Sequence, residues 1–257
     1  MRELSLFTGA GGGLLGTKLL GWEPIGYVEF NDYCQRVIKQ RIIDGILPNA
    51  PIFGDIKAFI DSGCAELYRG VTDVITGGFP CQPFSNAGKR LEAEDPRNMW
   101  PATIDCIRII RPRYAFLENV PGLVTSGYFG TILSDLHESG YDCRWRVLSA
   151  AELGAPHKRD RLWIMANTTS IRCSKNKEQH GHGNRGVSAK KIERWMLEFE
   201  RMDSDGKDSI IRHRISSGDR RSDDELAVDM DRLKAIGNGQ VPIVAATAWR
   251  ILSENII

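Results

Sequence analysis

The sequence predicts an α/β fold, in which a mostly parallel sheet is covered by helices on both faces. From residue 1 to about residue 166, short apolar runs alternate with segments of helical length, a pattern typical of such sheets. A glycine-rich turn follows the first apolar run, and other chemically unusual residues follow later runs. Ligands bind at this position in parallel sheets, at the carboxyl ends of the strands. The candidate strands are Glu3–Phe7, Ile25–Glu29, Asp73–Thr76, Tyr114–Glu118, Trp145–Leu148 and Leu162–Met165.

Helices are predicted from the spacing of apolar residues. Trp100, Ile104 and Ile107 recur at intervals of four and three, which predicts an amphipathic helix. Residues 242–252 carry one apolar stripe and begin with a proline, which is favoured in the first turn of a helix. Residues 167–227 are instead rich in Ser, Asn, Asp, Lys and Arg. We expect a small irregular segment there, inserted into a domain of residues 1–166 and 228–257, although a solvated linker fits this composition equally well.

The composition is that of an ordinary globular protein. The chain has 257 residues, with 34 Lys and Arg against 33 Asp and Glu, so any nucleic-acid surface must be a local patch. No apolar run is long enough to span a bilayer, and the first residues do not resemble a signal peptide. The six cysteines form no C-x-x-C pair, which argues against a metal site. We therefore expect a cytoplasmic protein without a metal or a membrane contact.

The glycine-rich turn has the features of a nucleoside-cofactor site. It lies between a predicted strand and a predicted helix, and glycine lets the backbone approach a ligand closely. Glu29 follows eighteen residues after Gly11, at the end of the next strand, where a carboxylate can bind ribose hydroxyls. Asp55 is a second candidate contact, or a turn residue. These residues fit NAD and S-adenosylmethionine equally well, and a tight turn without a ligand remains an alternative.

Cys81 is the one cysteine with an unusual setting. It follows a strand and two glycines and lies between Pro80 and Pro83. A thiol held on a stiff loop at a strand end can be presented to a substrate as a nucleophile. Residues 85–97 downstream are polar and basic, which indicates a flap able to contact phosphates.

Five motifs, in order along the chain, resemble those of the DNA cytosine-5 methyltransferases. Residues 79–85 (Phe-Pro-Cys-Gln-Pro-Phe-Ser) resemble the nucleophile motif of that family, and residues 7–13 (Phe-Thr-Gly-Ala-Gly-Gly-Gly) resemble its cofactor loop. Residues 118–120 are similar to its Glu-Asn-Val motif, and residues 154–161 to its Gln-x-Arg-x-Arg motif. Residues 231–242 resemble its final Gly-Asn motif. The resemblance leaves only the variable middle of the chain unaccounted for.

The resemblance implies a Rossmann-like methyltransferase fold that uses S-adenosylmethionine to methylate C5 of a flipped-out cytosine in double-stranded DNA. Cys81 would add to C6 of the ring, Glu118 would bind N3, and Arg159 or Arg161 would hold O2 or orient the carboxylate. The implied cofactor-binding residues are Phe7, Gly9, Gly11, Gly12, Glu29, Asp55, Ile56, Pro80 and Asn238. The implied DNA-binding residues are Ser85, Lys89, Arg90 and Arg97. Residues 167–227 would form a small target-recognition segment.

Two departures from the family pattern are evident. His157 stands where the family often has glutamine, and the middle segment is short for a domain that reads bases. The resemblance implies a monomer of the bacterial or phage restriction–modification type, with a separately acting endonuclease as a partner. A transfer-RNA cytosine-5 methyltransferase is an alternative with the same motifs. An NAD-dependent oxidoreductase would leave Cys81 and Glu118 unexplained, and a non-catalytic DNA-binding protein would leave every catalytic position unexplained.

Overall fold

The computed structural model describes residues 1–80, 98–168, 239–254 and 256, and its core is a sheet of seven strands. The strands are β1 (Arg2–Leu6), β2 (Glu23–Val28), β3 (Ile52–Phe53), β4 (Val74–Gly77), β5 (Tyr114–Asn119), β6 (Tyr141–Ser149) and β7 (Asp160–Thr168). The helices are α1 (Gly12–Lys18), α2 (Asp32–Ile43), α3 (Ile56–Asp61), α4 (Trp100–Ile110), α5 (Gly122–Thr125), α6 (Tyr128–Glu138) and α7 (Pro242–Leu252). Short 3₁₀ helices occur at Ala65–Tyr68 and Ala151–Leu153. Within these described ranges, no helix is long and apolar enough to cross a membrane.

The strand order is β3-β2-β1-β4-β5-β7-β6. The strands β3, β2, β1, β4 and β5 are parallel to one another, whereas β7 is antiparallel to both β5 and β6. The predicted α/β class and mostly parallel sheet are therefore confirmed. Chain order reverses between β1 and β4, so the strand ends there border a crevice of the kind in which ligands bind.

Both faces of the sheet are buried. On β5, Ala115 and Leu117 belong to one apolar core, and Tyr114 and Phe116 belong to the other. Helices α4 and α6 cover the first face. Helix α7 covers the second, where Trp249 packs edge-on against Phe116 at a ring-centroid distance of 5.4 Å. The helix predicted over 242–252 is confirmed, and it packs on the first part of the chain.

Glu3 is a fully buried carboxyl on β1, and its environment makes stability depend on pH. The hydroxyls of Thr17 and Thr76 donate to its two oxygens at 2.5 and 2.6 Å. Burial raises the pKa of Glu3 from 4.5 to about 7, although both hydrogen bonds lower it. Below pH 4.5 the group is protonated in both the folded and the unfolded chain. As the pH rises toward 7 the unfolded chain ionises first, so the native state loses stability.

Glu3→Gln should remove this pH dependence. The amide can accept from one threonine and donate to the other, and it never ionises. We expect the wild-type free energy of unfolding to fall by about 3 kcal/mol between pH 4.5 and pH 8 through Glu3, and this decrease should be absent in the variant. Urea unfolding at a series of pH values measures it. Glu23, exposed at the start of β2, provides the control substitution Glu23→Gln. Parallel pH profiles for wild type and Glu3→Gln would contradict the assignment.

Candidate active site

A cleft opens at the carboxyl ends of β1, β4 and β5. Its walls are the segments after these strands, together with Trp163 of β7 and the Gly239–Gln240 segment before α7. The cleft is open to solvent, and its lining combines backbone of the glycine-rich loop with the side chains of Glu118, Trp163 and Gln240. Among the described residues, the buried indole N–H of Trp163 has no hydrogen-bond partner. An acceptor atom of a bound ligand would satisfy it.

The glycine-rich loop, residues 7–13, forms one wall of the cleft. Strand β1 ends at Leu6, and Phe7 has a left-handed backbone with φ of 50°, a conformation that costs energy for a residue with a side chain. Gly9 and Gly11 are also left-handed, with φ of 57° and 84°. A Cβ on Gly9 would meet no atom within 4 Å. The backbone of this loop is therefore open toward the cleft at Gly9.

Gly12 and Gly13 are explained by packing inside the protein. A Cβ on Gly12 would collide with the carbonyl oxygen of Gln240, and a Cβ on Gly13 would collide with the amide oxygen of the same side chain. A Cβ on Gly16, one turn further along α1, would likewise collide with the carbonyl oxygen of Pro242 and the Cβ of Ala245 in α7. These glycines let α7 lie directly on α1. The sequence interpretation assigned the glycine spacing to cofactor approach and could not foresee this contact.

Glu29 follows β2 and is bound to the glycine-rich loop. Its Oε2 accepts a hydrogen bond from the Gly9 amide at 2.6 Å, and its Oε1 accepts one from the Asn31 amide at 2.7 Å. The carboxylate is thus fixed in orientation beside the loop. Phe30, the next residue, is 80 % exposed and was missed by the sequence interpretation. An apolar ring directly after the strand-end carboxylate was the available signal.

Asp55 and Ile56 lie at the start of α3. The Asp55 side chain accepts from the Lys57 amide at 3.2 Å and so caps the helix, as the alternative interpretation of this residue proposed. The Ile56 side chain is buried in the core. Neither residue is among those that line the cleft.

Glu118, at the carboxyl end of β5, is paired with an arginine. Its Oε1 lies 2.8 Å from Nε of Arg161 on β7, and only 9 % of Glu118 is exposed. The guanidinium of Arg159 donates to the carbonyl oxygen of Gly239. Arg159 lies just before β7 and Arg161 lies on it. The charges of both act on Glu118, although the two side chains bind different partners. His157 is exposed.

The electrostatic environment of Glu118 is balanced between opposing effects. Burial raises the pKa of Glu118, and the charge of Arg161 is the largest influence that lowers it. A hydrogen bond from Gln240 and the charge of Arg159 lower it further. Burial also lowers the pKa of Arg159, and the neighbouring charge of Arg161 adds to this decrease. Burial is the largest of these influences, so the pKa of Glu118 lies above the ordinary value of a glutamate carboxyl.

Asn119 fixes the segment that leads to Cys81, and the sequence interpretation gave it no such role. Its side-chain amide donates to the carbonyl oxygen of Phe79 at 3.1 Å, while its side-chain oxygen accepts from the Val120 amide at 2.8 Å. Phe79 is buried and Pro80 is exposed. The end of β5, which carries Glu118, is thereby hydrogen-bonded to Phe79, two residues before Cys81.

Several predicted site residues lie outside the described residues, as does the proposed recognition segment from residue 169 onward. They are Cys81, Ser85, Lys89, Arg90, Arg97 and Asn238. The glycine-rich loop, Glu118 and Gln240 line one cleft. Glu29 binds the Gly9 amide of that loop, and Arg161 binds Glu118.

Known proteins resemble this chain over most of its length. Residues 1–242 match the family described as C-5 cytosine-specific DNA methylase. The Type II methyltransferase M.NgoMIV of Neisseria gonorrhoeae is 31 % identical over 167 residues, which are 64 % of this chain and 51 % of the relative. The Type II methyltransferase M.NaeI of Lentzea aerocolonigenes is 31 % identical over 169 residues, or 65 % of this chain and 40 % of the relative. The chain thus spans about half the length of these relatives.

A solved structure resembles the fold. The crystal structure of a triple mutant of Spodoptera frugiperda DNMT2 matches with a TM-score of 0.55 and 23 % identity, covering 70 % of this chain and 53 % of that chain. Together with the strand order, this similarity shows that the predicted Rossmann-like methyltransferase fold is correct.

Proposed function

Because the chain belongs to the C-5 cytosine-specific DNA methylase family, we propose that it transfers a methyl group from S-adenosylmethionine to C5 of cytosine in double-stranded DNA. The observation that carries this proposal is the buried Glu118–Arg161 pair. It lies in the same cleft as the glycine-rich loop, and Asn119 connects it to the segment that precedes Cys81. A carboxyl, a guanidinium and a thiol are the groups that activation of a cytosine ring requires.

The cleft fits the cofactor. Each Glu29 oxygen accepts one backbone hydrogen bond and retains a lone pair for a ribose hydroxyl. The exposed ring of Phe30 offers a face on which a purine can stack, and the open backbone at Gly9 allows close approach. We assign the remaining cofactor contacts to Phe7, Gly11, the backbone of Ile56, Pro80 and Asn238. When bound, S-adenosylmethionine supplies an electrophilic methyl group.

The protein's own residues prepare the cytosine. C5 is a poor nucleophile, so the Cys81 thiolate first forms a bond to C6 and adds an electron pair to the ring. Glu118, in its protonated form, donates a hydrogen bond to N3 and passes its proton toward the charge that develops there. Arg161 holds the carboxyl in place and neutralises it. After methylation a base removes the C5 proton, and the C6–sulfur bond breaks to regenerate the thiolate and the aromatic ring.

DNA contacts are assigned to segments outside the described residues. Ser85, Lys89, Arg90 and Arg97 would contact the phosphates around a flipped base. Residues 167–227 would recognise the target sequence, and a separate restriction endonuclease would share that target. Both proposals follow from the family and from the names of the Type II relatives.

Glu29→Ala should weaken S-adenosylmethionine binding by about 100-fold, because it removes charged hydrogen bonds to the ribose and loosens the loop at Gly9. Titration calorimetry measures the affinity. The control is Glu23→Ala, at the exposed start of the same strand, which should bind as the wild type does. A dissociation constant within about threefold of the wild-type value would remove Glu29 from the cofactor site.

The decisive assay follows a labelled methyl group from S-adenosylmethionine to unmethylated duplex DNA and, in parallel, to transfer RNA. We expect 5-methylcytosine in DNA only. Label in RNA only would place the chain in the transfer-RNA branch with the same chemistry. Stabilisation by NAD instead of S-adenosylmethionine in a thermal-unfolding assay, with no methyl transfer to either nucleic acid, would contradict the proposal.

A further inference from the structure

Gln240 lies between the glycine-rich loop and Glu118, which both line the cleft. It lies just before α7, which returns from the far end of the chain and packs on α1. A Cβ on Gly16 would be only 2.9 Å from the Cβ of Ala245, so the two helices are in close contact. The Gln240 backbone lies against Gly12 and its amide oxygen against Gly13. This side chain is therefore held over the glycine-rich loop.

The other end of the Gln240 amide meets Glu118. Both side chains line the cleft, and a hydrogen bond from Gln240 is among the influences that lower the pKa of Glu118. A Cβ on Gly78 would lie 2.8 Å from Oε2 of Glu118 and 3.2 Å from Nε2 of Gln240, so both atoms border the same space beside Gly78. Arg161 lies against the other carboxylate oxygen, Oε1. Each oxygen of Glu118 thus has its own partner, and the missing side chain at Gly78 provides the space.

We propose that Gln240 is a positioning residue for Glu118, which holds the carboxyl by Oε2 and connects it to the glycine-rich loop. The inference rests on the proposed function, because it takes Glu118 as the group that binds cytosine N3. It assigns to Gln240 a role beyond packing of the terminal helix. Gln240 would fix which oxygen faces the substrate and how readily the carboxyl ionises.

An amide suits this role chemically. Its N–H donates to the ionised carboxylate, and after rotation its oxygen can accept the O–H of the neutral acid. The charged groups that act on Glu118 are Arg161 on β7 and Arg159 just before it, and Gln240 adds a neutral donor. Removing this donor should favour the protonated form of Glu118.

The first test measures the protonation of Glu118 in the full-length protein without relying on turnover. Glutamate labelled with ¹³C at the carboxyl carbon is titrated by NMR, and Glu118→Gln assigns the signal. Gln240→Met, which keeps size and shape, should raise the titration midpoint by about one pH unit. Gln240→Glu should raise it further, since two adjacent carboxyls resist joint ionisation. Gln40→Met is the matched control, because Gln40 donates to the exposed carboxylate of Asp44 at 2.8 Å.

The second test uses methyl transfer. In Gln240→Met we expect single-turnover transfer to fall about tenfold, with S-adenosylmethionine affinity within about twofold of the wild-type value. The alkaline limb of the pH–rate profile should move to higher pH, by the same amount as the NMR titration midpoint of Glu118. A slower variant with an unmoved midpoint and limb would mean that Gln240 serves packing alone, and would overturn the inference. Absence of transfer by the wild type would instead contradict the proposed function, and the NMR titration would still decide the role of Gln240.

Discussion

Replacing Cys81 by serine should abolish methyl transfer and leave the affinity for S-adenosylmethionine within about 1 kcal/mol of the wild-type value. The thiolate is the attacking species, and a thiol ionises near neutral pH far more readily than a hydroxyl does. The change of one atom therefore removes the nucleophile with little change in shape. Because Cys81 is proposed to act only in the chemical step, cofactor binding should be unaffected.

A covalent complex provides the direct readout for Cys81. DNA carrying 5-fluorocytosine should trap the wild-type protein, because fluorine cannot leave as the C5 proton does and the carbon–sulfur bond then persists. A denaturing gel would show the adduct with wild type and lose it with Cys81→Ser. Cys64→Ser is the matched control, since Cys64 is a free, half-buried cysteine that does not line the cleft. Transfer by Cys81→Ser at the wild-type rate, or loss of its cofactor binding, would contradict the assignment.

The sequence predicted β1, β2, β4 and β5 closely, and for β7 it predicted only the central Leu162–Met165 of Asp160–Thr168. Each of these strands places apolar residues in the core, and short apolar runs between turns can be recognised along a sequence. Strand β3 was not predicted, because its two residues are too few to show a periodic apolar pattern.

Strand β6 was predicted as Trp145–Leu148 but extends over Tyr141–Ser149. It is an edge strand, and the charged residues Asp142, Arg144 and Arg146 interrupt its apolar pattern. The insertion of β7 between β5 and β6 depends on long-range pairing, which periodicity does not encode.

The sequence indicated those candidate residues whose positions stand out within one short stretch of chain. It missed the contacts made by the segment just before α7, which comes from a distant part of the chain. Glu29, Glu118 and Arg161 have strand-end positions or alternating spacing that can be recognised along the chain. Gln240 contacts Glu118 across more than a hundred residues of sequence, and no spacing relates the two. The need for glycine at Gly12 and Gly13 likewise becomes clear only when Gln240 lies against them.

Glu118→Gln should lower the rate of methyl transfer by about a thousandfold, within the range attributed to a positioned acid or base. The amide is isosteric and can still accept from Arg161, but it cannot exchange a proton with N3 of the cytosine. The fold should persist, because burial already disfavours the charged form of this side chain. Single-turnover transfer, with a thermal-unfolding control, measures both effects.

The Glu118–Arg161 contact of 2.8 Å makes a further outcome testable by a double-mutant cycle. Arg161→Met alone should raise the pKa of Glu118, because it removes the largest influence that lowers it, and it should slow transfer by misplacing the carboxyl. If Arg161 acts through Glu118, the double variant should be about as slow as Glu118→Gln alone, since residues that work as a unit are not additive. Rate losses that simply multiply would instead mean that Arg161 contacts the cytosine independently, at its O2 edge. The cycle therefore separates the two roles that the sequence left open for this arginine.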